Sequence, residues 1–390
     1  RGWGRGLRRA VGSWYTGRDA DSLAYQAVKY RQREGWSHRD LLRLAHPRTD
    51  DAGLRATFDW ITHAGLGEAT PALIEGFVKA QQATDADAWA QIVRDYRLTW
   101  EMLPAAALTQ PVVWEALLDV GVPMTALIRQ LPRLTRLGLL PAIGGRTKEV
   151  CAQLTDAKRL RAARVHPVNV LVAQRTYASG TSYRGTMEWT PTTKVTDALD
   201  AAFYAAFGAV EPSGKRTMLA LDVSSSMHWS ISGMGITARE ASAALALVQL
   251  ATEPEAVAYG FSDVGRWGDS ALTQLDISPR RRLDDALAAV DAMGFGGTDC
   301  ALPMLYAIKQ KLKVETFVVY TDNETWAGKV HPYQALQRYR ERSGIDARLI
   351  VVGMTSTGFS IADPDDPGML DVVGFDAAVP NLISEFARGL

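Results

Sequence analysis

Cysteine is almost missing from this chain. Its two residues, Cys151 and Cys300, lie far apart in 390 positions and show no metal-type spacing. A disulfide framework is thereby excluded, and a reducing, cytoplasmic setting is the default expectation. Long apolar runs are missing too. None approaches the roughly 18 residues that a membrane-spanning helix needs, so no membrane role is expected. The opening stretch, Arg1-Gly-Trp-Gly-Arg-Gly-Leu-Arg-Arg, has neither the apolar core nor the cleavage site of a signal peptide. It also has no initiator Met, as a fragment or a processed form would not. Net charge is absent, with 43 Lys and Arg balancing 43 Asp and Glu. The composition, 47% hydrophobic and 22% charged, excludes wholesale disorder.

The zero charge hides two opposite halves. Residues 1–216 hold 29 Lys and Arg against 21 Asp and Glu, whereas residues 217–390 hold 14 against 22. The basic half is the candidate for a polyanionic partner. The length itself suits two domains.

The two halves also differ in hydrophobic period. From about Leu7 to Phe207 apolar residues recur at helical spacing, as in Leu23, Ala27 and Tyr30, in Leu54, Phe58 and Ile61, and in Trp114, Leu117 and Leu118. Prolines 47, 71, 104, 111, 123, 132, 141 and 167 are expected to cut this stretch into short helices. Short helices on short loops predict a helical-repeat array or an irregular bundle over residues 1–210. After Glu211-Pro-Ser-Gly the texture changes. Apolar runs at Thr217–Asp222, Ala256–Phe261, Thr316–Tyr320 and Ala347–Val352 alternate with helical stretches at Ile236–Ala251, Leu283–Val290, Cys300–Lys311, Tyr333–Arg342 and Val379–Ala387. That alternation predicts a doubly wound α/β domain over residues 211–390 with a parallel sheet. Ligands of such sheets sit at the carboxyl ends of the strands.

Polar residues gather at those ends. Asp222, Ser224 and Ser226 follow the first strand, Gly294-Phe-Gly-Gly-Thr298-Asp299 precedes a helix, and Thr321-Asp322-Asn-Glu324 follows another strand. Two carboxylates, three hydroxyls and water make a hard oxygen site that suits Mg²⁺ or Mn²⁺. The plainer reading has the serines capping a helix and the aspartates solvated. Three such strand ends together resemble the metal-ion-dependent adhesion site of von Willebrand factor A domains. The resemblance implies Asp222, Ser224, Ser226, Thr298 and Asp322 as ligands of a Mg²⁺ that binds rather than catalyses. Glu324 is the only base offered for hydrolysis, and no catalytic role is expected.

In the basic half, residues 1–48 carry 11 Lys and Arg against 4 Asp and Glu. Lys29 and Arg33, and again Arg39 and Arg43, stand four apart and are expected to share helix faces. Ser37 with Asp40 reads as a capping box, which puts His38 and Arg39 in a first turn whose amides favour phosphate. Tyr30 and Trp36 are candidate stacking faces for bases. The alternative is a solvated helical face with Trp36 in the core.

The stretch Lys29–His46, with Trp3-Gly-Arg-Gly-Leu-Arg-Arg-Ala, resembles the Ro ribonucleoprotein family, whose helical part is the TROVE module. Arg164-Val-His-Pro-Val, Glu211-Pro-Ser-Gly-Lys-Arg, Gly297-Thr-Asp-Cys-Ala-Leu-Pro-Met304 and Thr321-Asp-Asn-Glu-Thr-Trp-Ala-Gly328 extend the resemblance along the chain. It implies a ring of HEAT-like helical repeats, monomeric, closed by a von Willebrand A domain. It implies Y RNA on the outer basic face and single-stranded 3′ ends of misfolded RNA in the hole. Polynucleotide phosphorylase or another 3′ exonuclease is the implied protein partner in RNA quality control. Carried over residue by residue, the RNA site is Lys29, Arg31, Arg33, His38, Arg39 and Arg43. The rival reading is a metal-dependent protein-binding module with no direct RNA role. Family members carry a longer helical stretch before the Trp3 segment.

Overall fold

The computed structural model describes the chain apart from residues 1–2, 183–184, 232–234, 262–271, 279–281, 292–297, 323–324, 326–327, 356–360 and 376–377. It resolves into two compact units, Arg1–Pro123 with Leu137–Leu139, and Met124–Arg136 with Leu140–Leu390.

The first unit holds α1 (Arg5–Thr16), α2 (Ala20–Lys29), α3 (His38–Ala45), α4 (Ala52–His63), α5 (Ala72–Gln82), α6 (Ala86–Tyr96) and α7 (Pro111–Val120). Local chemistry sets their starts. Asp19, Asp51 and Asp85 accept backbone N–H groups of Ser22, Leu54 and Ala88 at 2.7, 2.7 and 2.9 Å, satisfying donors that a helix start leaves unpaired. Pro111 opens α7, where no intrahelical N–H is needed. Successive helices pack on one another: α5 on α6, α6 on α7, and α2 on both α4 and α5. Tyr15, Leu23, Leu42 and Leu54 form the buried centre on which α1 to α4 meet.

Between α2 and α3 the chain makes a small antiparallel hairpin, β1 (Gln32–Arg33) with β2 (Trp36–Ser37). Here the expectation of one helix face for Lys29 and Arg33 fails. The helix α2 ends at Lys29, and Glu34 and Gly35 turn the chain with φ of 50° and 79°. Arg33 is therefore a strand residue.

The second unit opens with α8 (Met124–Arg136), α9 (Thr147–Leu154), α10 (Ala157–Ala162), α11 (Pro167–Ser179) and α12 (Thr193–Ala205). Pro132 does not end a helix as expected; it lies inside α8. It removes one backbone bond there, and buried Leu127, Ile128, Leu131 and Leu134 hold the helix together on either side of it.

A six-stranded sheet follows, in the order β5-β4-β3-β6-β7-β8. Its strands are β3 (Thr217–Asp222), β4 (Ala256–Phe261), β5 (Leu272–Gln274), β6 (Thr316–Thr321), β7 (Arg348–Gly353) and β8 (Met369–Val373). The flanking helices are α13 (Ala238–Thr252), α14 (Leu283–Asp291), α15 (Leu302–Gln310), α16 (Pro332–Ser343) and α17 (Val379–Arg388). Every residue of β3 and β6 is buried, which is why both read as unbroken apolar runs. The sheet is not wholly parallel: the edge strand β5 runs antiparallel to β4. The chain leaves β3 for β4 on one side and reaches β6 on the other, so a switch of strand order lies at the carboxyl end of β3.

Candidate nucleic-acid interface and metal centre

Asp222 ends β3 at that switch. It is 1% exposed. Its Oδ1 accepts the backbone N–H of Ser224 at 2.8 Å, and its Oδ2 accepts the hydroxyls of Thr321 at 2.9 Å and Thr298 at 3.3 Å. Ser224 Oγ and Ser226 Oγ are 3.0 Å apart. Asp322 joins through Thr321, whose hydroxyl is 3.5 Å from Asp322 Oδ1. Asp222 and Thr298 are thus in direct contact, the Ser224 and Ser226 hydroxyls lie together just after β3, and Asp322 adjoins Thr321 at the end of β6. The expectation of a third strand end fails: Thr298 comes from the segment between α14 and α15. Gly294–Gly297 and Glu324 lie outside the described residues.

Burial pushes the Asp222 carboxyl up to about 6, against the hydrogen bonds of Ser224 and Thr321, which favour its charged form. Among the described residues it has no ion-pair partner. A desolvated carboxylate ringed by hydroxyl oxygens fits a hard divalent cation, which would supply the missing positive charge.

Sequence reasoning missed two supports. Thr321 is the last residue of β6, and its side chain faces Asp222 across the β3–β6 pair. Arg239, 3% exposed on α13, donates to the carbonyls of Val223 and Ser224 at 2.9 and 3.0 Å and to Asp291 at 2.5 Å. It pins the Asp222–Ser226 loop from behind. The Thr237–Glu240 capping box that starts α13 was the readable signal for its position. Trp229, next to this loop, is 74% exposed.

The second site belongs to the first unit. The expected capping box is present: Ser37 accepts the Asp40 N–H at 3.3 Å, and Asp40 accepts the Ser37 N–H at 3.0 Å. The box occupies the N–H groups of Ser37 and Asp40 and sets the Asp40 carboxylate beside the helix start.

His38, the first residue of α3, borders two grooves. One, of about 680 Å³, is lined by Arg31, Arg39, Trp60, His63 and Phe77. The other, of about 430 Å³, is lined by Trp14, Tyr30, Arg33 and Trp36. His38 Nδ1 lies 2.7 Å from the Tyr15 hydroxyl, and its ring stacks on Trp14 with centroids 6.0 Å apart. Burial lowers its pKa, partly opposed by the carbonyls of Gln26 and Tyr30, so a neutral imidazole separates the grooves.

The predicted cations differ in freedom. Arg33, Arg39 and Arg43 are exposed. Arg31 is exposed as well and lies over the Phe77 ring at 5.2 Å. Lys29 is held: its ammonium reaches the Tyr25 hydroxyl at 2.9 Å and Glu101 at 3.6 Å. Trp36 is 46% exposed and Tyr30 47%, so neither is in the core.

Family models match nearly all of the chain: a TROVE domain over residues 1–70 and 62–177, and a Ro60 vWA domain over residues 216–387. The chain belongs to the Ro60 family. A relative named RNA-binding protein RO60, from Deinococcus radiodurans, is 46% identical over 394 residues, covering 100% of this chain and 72% of that protein. A Caenorhabditis elegans protein of the same name is 37% identical over 436 residues, covering 100% of this chain and 66% of that one. The solved structure of the Deinococcus radiodurans Ro (RSR) protein matches with a TM-score of 0.91 at 44% identity, over 100% of this chain and 78% of that one. Both halves of the expected fold, helical repeats followed by an A domain, are those of this family. Among the described residues no helix is long and apolar enough to cross a membrane.

Proposed function

We propose that the chain is a non-catalytic, RNA-binding scaffold of RNA quality control. The observation that carries this reading is the pair of grooves meeting at His38, one cationic and one aromatic. Arginines there neutralise phosphates, and Tyr30 and Trp36 give unpaired bases flat faces to stack on. Similarity along the whole of this chain to parts of proteins named as RNA-binding supports the same reading. Y RNA is the proposed ligand of this basic face, and single-stranded 3′ ends of misfolded RNA the proposed ligand of a monomeric ring's hole. A 3′ exonuclease such as polynucleotide phosphorylase is the proposed partner, and the cytoplasm the proposed location. Asp222, Ser224, Ser226, Thr298 and Asp322 would hold Mg²⁺, which supplies charge for docking a carboxylate from a partner protein. Exposed Trp229 beside that loop favours a protein contact at this end.

The test is binding of a structured RNA with a single-stranded 3′ tail across a salt series, with the RNA sized on a gel afterwards. Affinity is expected to fall steeply with salt, weaken in Arg39→Ala, and leave the RNA at full length. Binding indifferent to salt, or RNA shortened by pure protein, would overturn the reading.

A further inference from the structure

The second unit contains a cavity that shares no lining residue with either site. It measures about 550 Å³ and is walled by the end of α10, the start of α11, the segment from Gly208 to Pro212 and the last helix, α17. Arg161, Arg164, His166, Asn381, Ser384 and Arg388 all line it.

Its most telling member is His166. The residue is 6% exposed and caps α11, with Nδ1 accepting the Val168 N–H at 3.1 Å. Because Nδ1 accepts, the proton must sit on Nε2. That nitrogen is buried and has no hydrogen-bond partner among the described residues. A buried donor left unpaired is costly, so a native structure that keeps one calls for a ligand or another explanation. Burial holds the imidazole at about 4, so at neutral pH it is an uncharged donor.

The second mark is Arg164. Its N–H bonds to the carbonyl of Arg161, and the next N–H, of Val165, reaches back to Leu160, both at 3.0 Å. This is the paired closure that ends helices at a left-handed residue, a position where glycine is the usual choice. Arg164 occupies it with φ of 49°. A long cationic side chain therefore stands where the fold alone would favour none. Neither Arg161 nor Arg164 has an ion-pair partner among the described residues. Arg388 is 3.7 Å from Glu211, and Glu385 also lines the wall. Three guanidinium groups against two carboxylates leave the cavity cationic.

We propose that this cavity is a phosphate-binding site, in which Arg161, Arg164 and Arg388 neutralise the anion and His166, with its unpaired Nε2–H, stands in the wall. Arginine suits a phosphate because its planar fork matches the oxygens. The volume admits a nucleotide, so the phosphate belongs either to a free mononucleotide or inorganic phosphate, or to an RNA backbone. The proposal stands independently of the grooves at His38.

Calorimetric titration of the full chain with inorganic phosphate, with adenosine monophosphate and with a short 5′-hydroxyl oligoadenylate separates these sources. Adenosine serves as the uncharged control. Arg161→Ala and Arg164→Gly are each expected to weaken binding roughly tenfold or more, as the loss of a charge-assisted pair does. Arg164→Gly is also expected to unfold at or above the parent temperature. Binding by phosphate and monophosphate alone assigns a free-anion site, and binding by the oligonucleotide alone assigns an RNA backbone contact. The proposal fails if none binds at millimolar concentration, or if both variants bind as the parent does. Should Arg164→Gly be destabilised, Arg161→Ala decides by itself.

Discussion

The hydroxyl of Tyr15 lies 2.7 Å from Nδ1 of His38, joining α1 to the first residue of α3 across 23 positions. Tyr15 is fully buried, and burial pushes its phenol well above the usual tyrosine range. The phenol therefore keeps its proton, and the Tyr15 hydroxyl and His38 Nδ1 share one hydrogen bond whose direction follows the imidazole tautomer. His38 is held in place by the fold before any ligand arrives. Tyr15→Phe is expected to cost about 1 kcal/mol, the net worth of one hydrogen bond, read from urea unfolding. RNA affinity should drop less in Tyr15→Phe than in His38→Ala. Equal losses would make His38 a packing residue only.

The cations of the RNA face should divide into two groups. Arg39→Ala and Arg33→Ala remove exposed charges at the rims of the two grooves. Each is expected to reduce the slope of log affinity against log salt by about 0.7 for a single-stranded contact, without moving the urea midpoint. Lys29→Ala should do the reverse. Its ammonium is committed to Tyr25 and Glu101, so unfolding shifts while the salt slope stays. A lowered slope with unchanged stability would return Lys29 to the RNA site.

Mg²⁺ should stabilise the second unit through Asp222. Ligand in hundredfold excess over its dissociation constant adds about 2.7 kcal/mol to the native state, visible as a rise in unfolding temperature. Asp222→Asn is expected to abolish that rise and to leave RNA affinity unchanged. Loss of RNA binding in this variant would move the RNA site toward the A domain.

Several features were open to inspection in the sequence because they are local. Apolar runs buried on both faces marked β3, β4, β6 and β7, and Ser37 with Asp40 marked the start of α3. Others depended on partners distant in the chain. The edge strands β5 and β8 escaped notice: one is three residues long, and the other carries Asp371, which accepts the Ala362 N–H at 3.1 Å. Spacing alone put Lys29 and Arg33 on one helix, although Gly35 between the two short strands was the available warning. Pro132 looked like a break because proline removes a backbone bond, while the buried leucines that keep α8 whole act through tertiary packing. The five oxygen ligands were legible as residue types, four of them at or just after the end of a strand and Thr298 ahead of α15. The Arg239 clamp behind them was not, since nothing local links residue 239 to the carbonyls of Val223 and Ser224.

His166 makes an acid-sensitive prediction. Its imidazole is held at about 4, against 6.5 for an unperturbed histidine, by burial. Between those values the unfolded chain binds a proton that the native state refuses, so stability rises with pH across the window. Read downward, stability present above 6.5 is lost as pH falls toward 4, by about 3 kcal/mol at the lower limit. Asn in place of His166 keeps an acceptor for the Val168 N–H, since Asn is a good cap, and removes the titration. Urea unfolding at pH 7 and pH 4 should therefore show a smaller acid loss in His166→Asn than in the parent. Parallel acid limbs would mean that His166 is protonated in the folded state and that carboxylates alone govern the decline.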